Sequence, residues 1–171
     1  MFQLANIKKK CLVIFCLELT KELQNTKKNI RTKLNEIKFA KEYKKIMIKQ
    51  LAAKDIKSYL MVEPESVLLD VRTNEEWETI GKPEGEKIGL KTYFLSIQFG
   101  KERIFNENFI QEFKNLAINQ DKNILILCRS GVRSQFAAEL LNKENYTCIN
   151  ISDGFEGNQE NIGWKKCGLP C

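Results

Sequence analysis

The sequence predicts an α/β fold, a parallel sheet flanked by helices on both faces. Three observations carry this. Apolar runs of strand length alternate with segments of helical periodicity. Two of the runs, residues 67–71 and 123–128, are almost continuously apolar, as strands covered on both faces must be. Apolar content is 43% over 171 residues, enough to build the core of about one domain.

Residues 48–51 read as a short strand and 53–61 as a helix, with a turn at Glu63-Pro64-Glu65-Ser66. The strand over 67–71 is polar only at Asp70. Thr73 or Asn74 can cap the next helix, whose first turn holds Glu75 and Glu76 where the helix dipole favours acids. Arg72 with those two acids reads as a structural ion pair, and Trp77 and Trp164 as packing residues. A weaker strand is expected over 87–90. Phe109, Ile110, Phe113 and Leu116 give residues 106–116 a helical spacing. Residues 123–128 form the central strand, 134–143 a helix burying Phe136, Ala137, Leu140 and Leu141, and 146–151 the last strand. No internal repeat is visible, so one copy of the unit is expected.

The net charge of +6 is unevenly placed: residues 1–46 hold 12 Lys/Arg against 4 Asp/Glu, and residues 47–171 hold 16 against 18. The expected division is therefore a Lys-rich extension over 1–46, flexible or helical, and a domain over 47–171. The extension's apolar run, residues 12–17, is too short to span a bilayer, and Glu18 ends it. A loose stripe of Leu23, Ile30, Leu34, Ile37 and Phe39 allows a charged helix over 20–45. No basic surface interleaved with aromatics is evident after residue 46, so no nucleic-acid partner is expected. The six cysteines have uneven spacing and no Cys-x2-Cys pair, which argues against a disulfide framework, zinc or a redox dithiol. Reduced thiols point to the cytoplasm. Cys148 reads as a core residue of a strand, and Cys167 and Cys171 flank Gly168-Leu169-Pro170 near the end of the chain.

The chemistry concentrates at one junction. Cys128 ends the central strand and opens Cys128-Arg129-Ser130-Gly131-Val132-Arg133-Ser134, after which a helix begins. A helix N-terminus and nearby cations stabilise a thiolate, the nucleophilic form of cysteine. Gly131 lets the loop curl so that successive N–H groups point inward and bind an anion. Cys128 is thus expected to be ionised at neutral pH and to attract an anionic substrate. A buried structural thiol also fits a strand end, but two arginines in so short a loop do not suit a core. Cysteine-dependent phosphatases present Cys-x5-Arg; Cys128 to Arg133 is Cys-x4-Arg, one residue shorter.

That loop, Cys-Arg-x-Gly-x-Arg, resembles the active-site loop of the rhodanese-like sulfurtransferases. Residues 67–77, Val-Leu-Leu-Asp-Val-Arg-Thr-Asn-Glu-Glu-Trp, are similar to the family's strand, Asp-x-Arg and acidic-helix element. Asp153-Gly154-Phe155-Glu156-Gly157, with Gly163-Trp164 and Gly168-Leu169-Pro170, is similar to its C-terminal signature. Order and separation match from about residue 48 to 171. The chain departs from the family at Gly81-Lys82-Pro83-Glu84-Gly85-Glu86, where many relatives have Gly-His-Ile-Pro-Gly-Ala, and its segment between Gly157 and Gly163 is short.

The resemblance implies a rhodanese-like parallel sheet. It also implies a sulfurtransferase that moves sulfane sulfur from thiosulfate or a persulfide to a thiophilic acceptor through a persulfide on Cys128. On this reading Arg129 and Arg133 bind the donor and favour the thiolate. Ser130, Gly131, Val132 and Ser134 supply hydroxyl and amide donors around the sulfur. Asp70 and Arg72 stand behind the loop, with Asp70 read chiefly as a structural partner of Arg72. The chain has no histidine, so no histidine base or metal ligand is available, and an already ionised thiolate needs none. No cofactor or metal is expected. The expected partners are a small anionic sulfur donor and an acceptor, either cyanide, a thiol or a sulfur-relay protein. Cys148, Cys167 or Cys171 could join the redox chemistry only if folded close to Cys128. Two rivals stay open: a cysteine-loop phosphatase or arsenate-reducing enzyme, and a non-catalytic interaction module of the same fold.

Overall fold

The computed structural model of the chain describes residues 23–38, 47–159 and 161–171. Two compact units contain them, Met1–Lys45 and Ile46–Cys171. In the first, residues 23–38 form one exposed helix, α1, which carries Leu23, Ile30, Leu34 and Ile37; the apolar run over 12–17 and Phe39 lie outside the described residues.

The second unit holds a five-stranded parallel sheet. Its strands are β1 (Lys49–Leu51), β2 (Val67–Asp70), β3 (Lys91–Phe94), β6 (Asn123–Leu127) and β7 (Thr147–Ile151), in the order β1-β7-β6-β2-β3. A small antiparallel hairpin joins β4 (Gln98–Phe99) to β5 (Ile104–Phe105). The helices are α2 (Ile56–Val62), α3 (Asn74–Thr79), α4 (Phe109–Asn115) and α5 (Val132–Lys143).

The sheet is buried on both faces, and alternate residues serve opposite cores. Val67, Leu69, Val71, Ile124, Ile126 and Cys128 pack on one side with Phe109 and Phe113 of α4 and Ala137, Ala138 and Leu141 of α5. Leu68, Leu125 and Leu127 pack on the other with Ile56 of α2, Phe155 and Trp164. This period of two explains why β2 and β6 read as continuous apolar runs. It also fixes the side on which Cys128 lies, the α5 side.

Three local expectations are corrected. Residues 85–88 form a short helical turn, not a strand; Gly89 reverses the chain at φ 81°, and pairing with β2 starts only at Lys91. The edge strand β3 has one neighbour and keeps polar residues, so the apolar signal at Ile88 and Leu90 lies just before it. The helix α5 begins at Val132, two residues early, and Phe136 is 47% exposed, its ring edge-on to Phe105 with centroids 5.7 Å apart. Arg72 pairs with Asp70 rather than with Glu75 or Glu76.

Candidate active site

Adjacent parallel strands β2 and β6 end in register, Asp70 opposite Leu127, so both bring their following residues to the carboxyl edge of the sheet. Cys128 is the first residue past β6 and is 1% exposed. The chain then turns directly into α5. Gly131 occupies the cap position at φ 97°, a conformation open to glycine, and a Cβ there would lie 2.1 Å from the Ser152 carbonyl oxygen. The turn is clamped by the segment leaving β7: the Phe155 N–H donates to the Cys128 carbonyl (2.8 Å) and the Glu156 N–H to that of Arg129 (3.0 Å). Gly154 makes this approach feasible, because a Cβ would meet the Ser130 nitrogen at 2.5 Å.

The Cys128 sulfur accepts two hydrogen bonds, from the Gly131 N–H at 3.2 Å and from the buried Ser134 hydroxyl at 3.2 Å. Thiol sulfur is a weak acceptor, whereas thiolate sulfur is a strong one. The N-terminus of the 12-residue helix α5 adds its unpaired amides and dipole on the same side. Ser130 is half-buried in the loop and Val132 points outward at 75% exposure.

Both loop arginines have carboxylate partners. Arg133, half-buried in the first turn of α5, places its fork on Glu76, with Nη1 to Oε2 at 2.7 Å and Nη2 to Oε1 at 2.6 Å. Burial disfavours the Arg133 charge, but Glu76, and more weakly the Cys128 sulfur, hold its pKa above the ordinary value. Arg129 lies outside, 55% exposed, paired with Glu156. Glu76 is also part of a capping box. Its N–H donates to Thr73 Oγ1 (3.3 Å) while its carboxylate accepts from the Thr73 N–H (3.0 Å), so one side chain ties the start of α3 to the start of α5. Burial pushes the Glu76 carboxyl up, and Arg133 with the Thr73 amide pulls it down further, leaving it below the usual range.

Asp70 and Arg72 are wholly buried. The Asp70 carboxylate accepts from the Arg72 N–H (3.0 Å), Nε (3.0 Å) and Nη2 (2.7 Å), and Nη2 also donates to the Gly81 carbonyl (2.9 Å). The guanidinium stacks 3.9 Å from the Phe155 ring. Burial raises the Asp70 carboxyl and Arg72 opposes the rise. The pair therefore braces the 81 turn and the 155 segment that clamps the loop. Among the described residues, no group of three His, Cys, Asp or Glu lies together as a metal site, and no helix is long and apolar enough to cross a membrane.

Sequence reasoning missed Glu76 and Glu156 as partners of the loop arginines. The Thr73-x-x-Glu76 spacing signals the capping box, but Glu76 and Arg133 are 57 residues apart and no local pattern joins them.

Residues 52–161 match the family model of the rhodanese-like domain. The chain belongs to the rhodanese-like domain family. It is 38% identical to an uncharacterized protein of Rickettsia prowazekii, over 73% of this chain and 98% of that one. An uncharacterized protein of Rickettsia conorii is 44% identical over 65% and 86% of the two chains. The crystal structure of Rv0390 from M. tuberculosis superposes with a TM-score of 0.61 at 29% identity, covering 71% of this chain and 95% of that one. The rhodanese-like domain thus supplies the five-stranded parallel sheet, and Cys128 stands at its carboxyl edge.

Proposed function

We propose that this protein is a sulfurtransferase carrying sulfane sulfur on Cys128. One observation carries the reading: a single buried sulfur receives a backbone amide and a hydroxyl at the N-terminus of α5, with no histidine anywhere in the chain to serve as base. Such a site activates the thiolate by fixed dipoles alone. The Cys128 thiolate attacks the outer sulfur of thiosulfate. A bond forms between Sγ and that sulfur, the donor's S–S bond breaks, and sulfite leaves with the electron pair. The resulting cysteine persulfide is then attacked at its outer sulfur by cyanide or a thiol, which regenerates the Cys128 thiolate. The Gly131 N–H and Ser134 hydroxyl hold the developing charge, and no proton transfer at Cys128 is required. The Arg129–Glu156 and Arg133–Glu76 pairs shape the walls of the loop, and each arginine keeps donors free for an anion.

The proposed catalytic unit is residues 47–171, and the proposed setting is the cytoplasm, with an acceptor thiol or a relay protein receiving the sulfur. The test is intact mass spectrometry after incubation with thiosulfate. One added sulfur atom, absent from Cys128→Ser, is expected. Cys128-dependent hydrolysis of aryl phosphates without a persulfide would promote the phosphatase reading. Absence of both activities would favour an interaction module.

A further inference from the structure

Beside the active-site loop lies an open cavity of about 280 Å³, lined in part by Arg129 and Arg133 of the loop and by Glu75 and Glu76 of α3. Its far wall is the tip of the β4–β5 hairpin, which contributes Lys101 and Arg103. The cavity is close to the lower size of pockets that hold small organic ligands, roughly 300 Å³. An ion as small as thiosulfate occupies a minor part of it.

The charges are unequally committed. Arg133 is matched by Glu76 and Arg129 by Glu156. Lys101 and Arg103 hold no ion pair among the described residues, and both are exposed. Glu75 is the one further acid on the lining. The hairpin tip, Gly100-Lys101-Glu102-Arg103, therefore lines with its two cations, and not with the exposed Glu102 between them, a cavity whose other wall is the Cys128 loop. Cys128 does not line this space but sits at the floor of the loop that does, 1% exposed. A ligand held in the cavity has its body at the side of the loop and must reach inward to the sulfur.

We propose that this cavity selects an organic persulfide donor whose carboxylate, several bonds from the sulfane sulfur, is held by Lys101 and Arg103. The inference rests on the sulfurtransferase reading and names the substrate class of that site. In the reaction, the Cys128 thiolate attacks the outer sulfur of R–S–SH, a new S–S bond forms to Sγ, and the donor's S–S bond breaks. R–S⁻ leaves with the electron pair, while the transferred sulfur keeps its proton. No outside oxidant or reductant enters. The carboxylate stays against the hairpin throughout, so its contacts position the donor and raise the local concentration of its sulfur at the loop.

The experiment compares three probes on the full chain: thiosulfate, glutathione persulfide, and the persulfide of glutathione diethyl ester. Loading of Cys128 is read as one added sulfur atom against time, giving kcat/KM for each donor. The acid is expected to exceed the ester by roughly three- to tenfold, the scale of two exposed charge contacts. Lys101→Gln with Arg103→Gln should remove most of that advantage, and raised salt should shrink it in the wild-type chain. Lys101→Glu with Arg103→Glu should reverse the preference. Equal loading by acid and ester, or an acid preference that persists in both double variants, would overturn the inference while thiosulfate loading leaves the sulfurtransferase reading standing. If none of the three donors adds sulfur to Cys128, the reading and the inference fall together.

Discussion

Cys148 sits on β7 and Cys128 just past the end of its neighbour β6; both pack into the same core facing α5 and are buried, at 6% and 1% exposure. By residue type and burial they are nearly the same object. Their difference is the end of the sheet they occupy. Cys148 lies opposite Ile124, near the amino ends of β6 and β7, among apolar neighbours. Cys128 lies four residues further along, roughly 13 Å, where the carboxyl edge faces the start of α5. At one end the sulfur meets an amide and a hydroxyl. At the other, burial alone acts, and it pushes the Cys148 thiol up to about 12. Burial thus silences a thiol unless the fold aims dipoles at it, and a parallel α/β sheet does that only past the carboxyl ends of its strands.

The largest expected effect follows directly. Cys128→Ser should abolish sulfur loading from thiosulfate, while Cys148→Ser should leave loading intact and cost about 1–3 kcal/mol of stability by burying an unpaired hydroxyl. Mass spectrometry and thermal unfolding read the two outcomes, and loss of loading in the Cys148 variant without unfolding would break the contrast.

Gly131→Ala should come next. It forces a Cβ to within 2.1 Å of the Ser152 carbonyl and holds alanine at φ 97°, a backbone cost of about 1–3 kcal/mol before the clash is counted. Because the same residue donates to the sulfur, alkylation of Cys128 by iodoacetamide should slow together with a fall in Tm.

The Arg133–Glu76 pair offers a test with opposite signs. Arg133→Ala leaves Glu76 unpaired near the loop and should slow Cys128 alkylation at neutral pH. Glu76→Gln frees the Arg133 charge and should speed it. Each change should be a few-fold, since the pair acts through space rather than by contact. Native Cys148 should stay unlabelled in all of these proteins. Equal effects of the same sign would show that the amide and hydroxyl donors govern reactivity by themselves.

Stability against pH carries a smaller effect. The Glu76 carboxyl titrates below its ordinary range in the folded protein. Its contribution is therefore fully present above the ordinary glutamate pKa and is lost as pH falls through the lowered folded value. Unfolding free energies measured on acidification should decline more gently in Glu76→Gln than in the unaltered chain. The smallest expected effect is that of removing residues 1–46. A chain starting at Met47 should unfold cooperatively with nearly unchanged Tm and should retain both the reactive and the silent thiol; a large drop in Tm would assign those residues to the domain.

Much of this was legible in the sequence because it is local. The continuous apolar runs of β2 and β6, the acids after Thr73 and the glycine inside the Cys128 loop each act within a few residues, and they locate the sheet, the capped helix and the strand–loop–helix junction. The β4–β5 hairpin escaped because two-residue strands carry no periodicity, and β3 was misplaced because an edge strand needs few apolar residues. The sequence by itself thus determined the fold class and put Cys128 at the strand–loop–helix junction, since backbone preference and apolar pattern are properties of short segments. Only the tertiary structure decided which carboxylates meet Arg129 and Arg133, and that Lys101 and Arg103 line a cavity with the loop. Those pairings join residues brought together by the order of strands in the sheet, and charge partners distant in the chain leave no mark in local spacing.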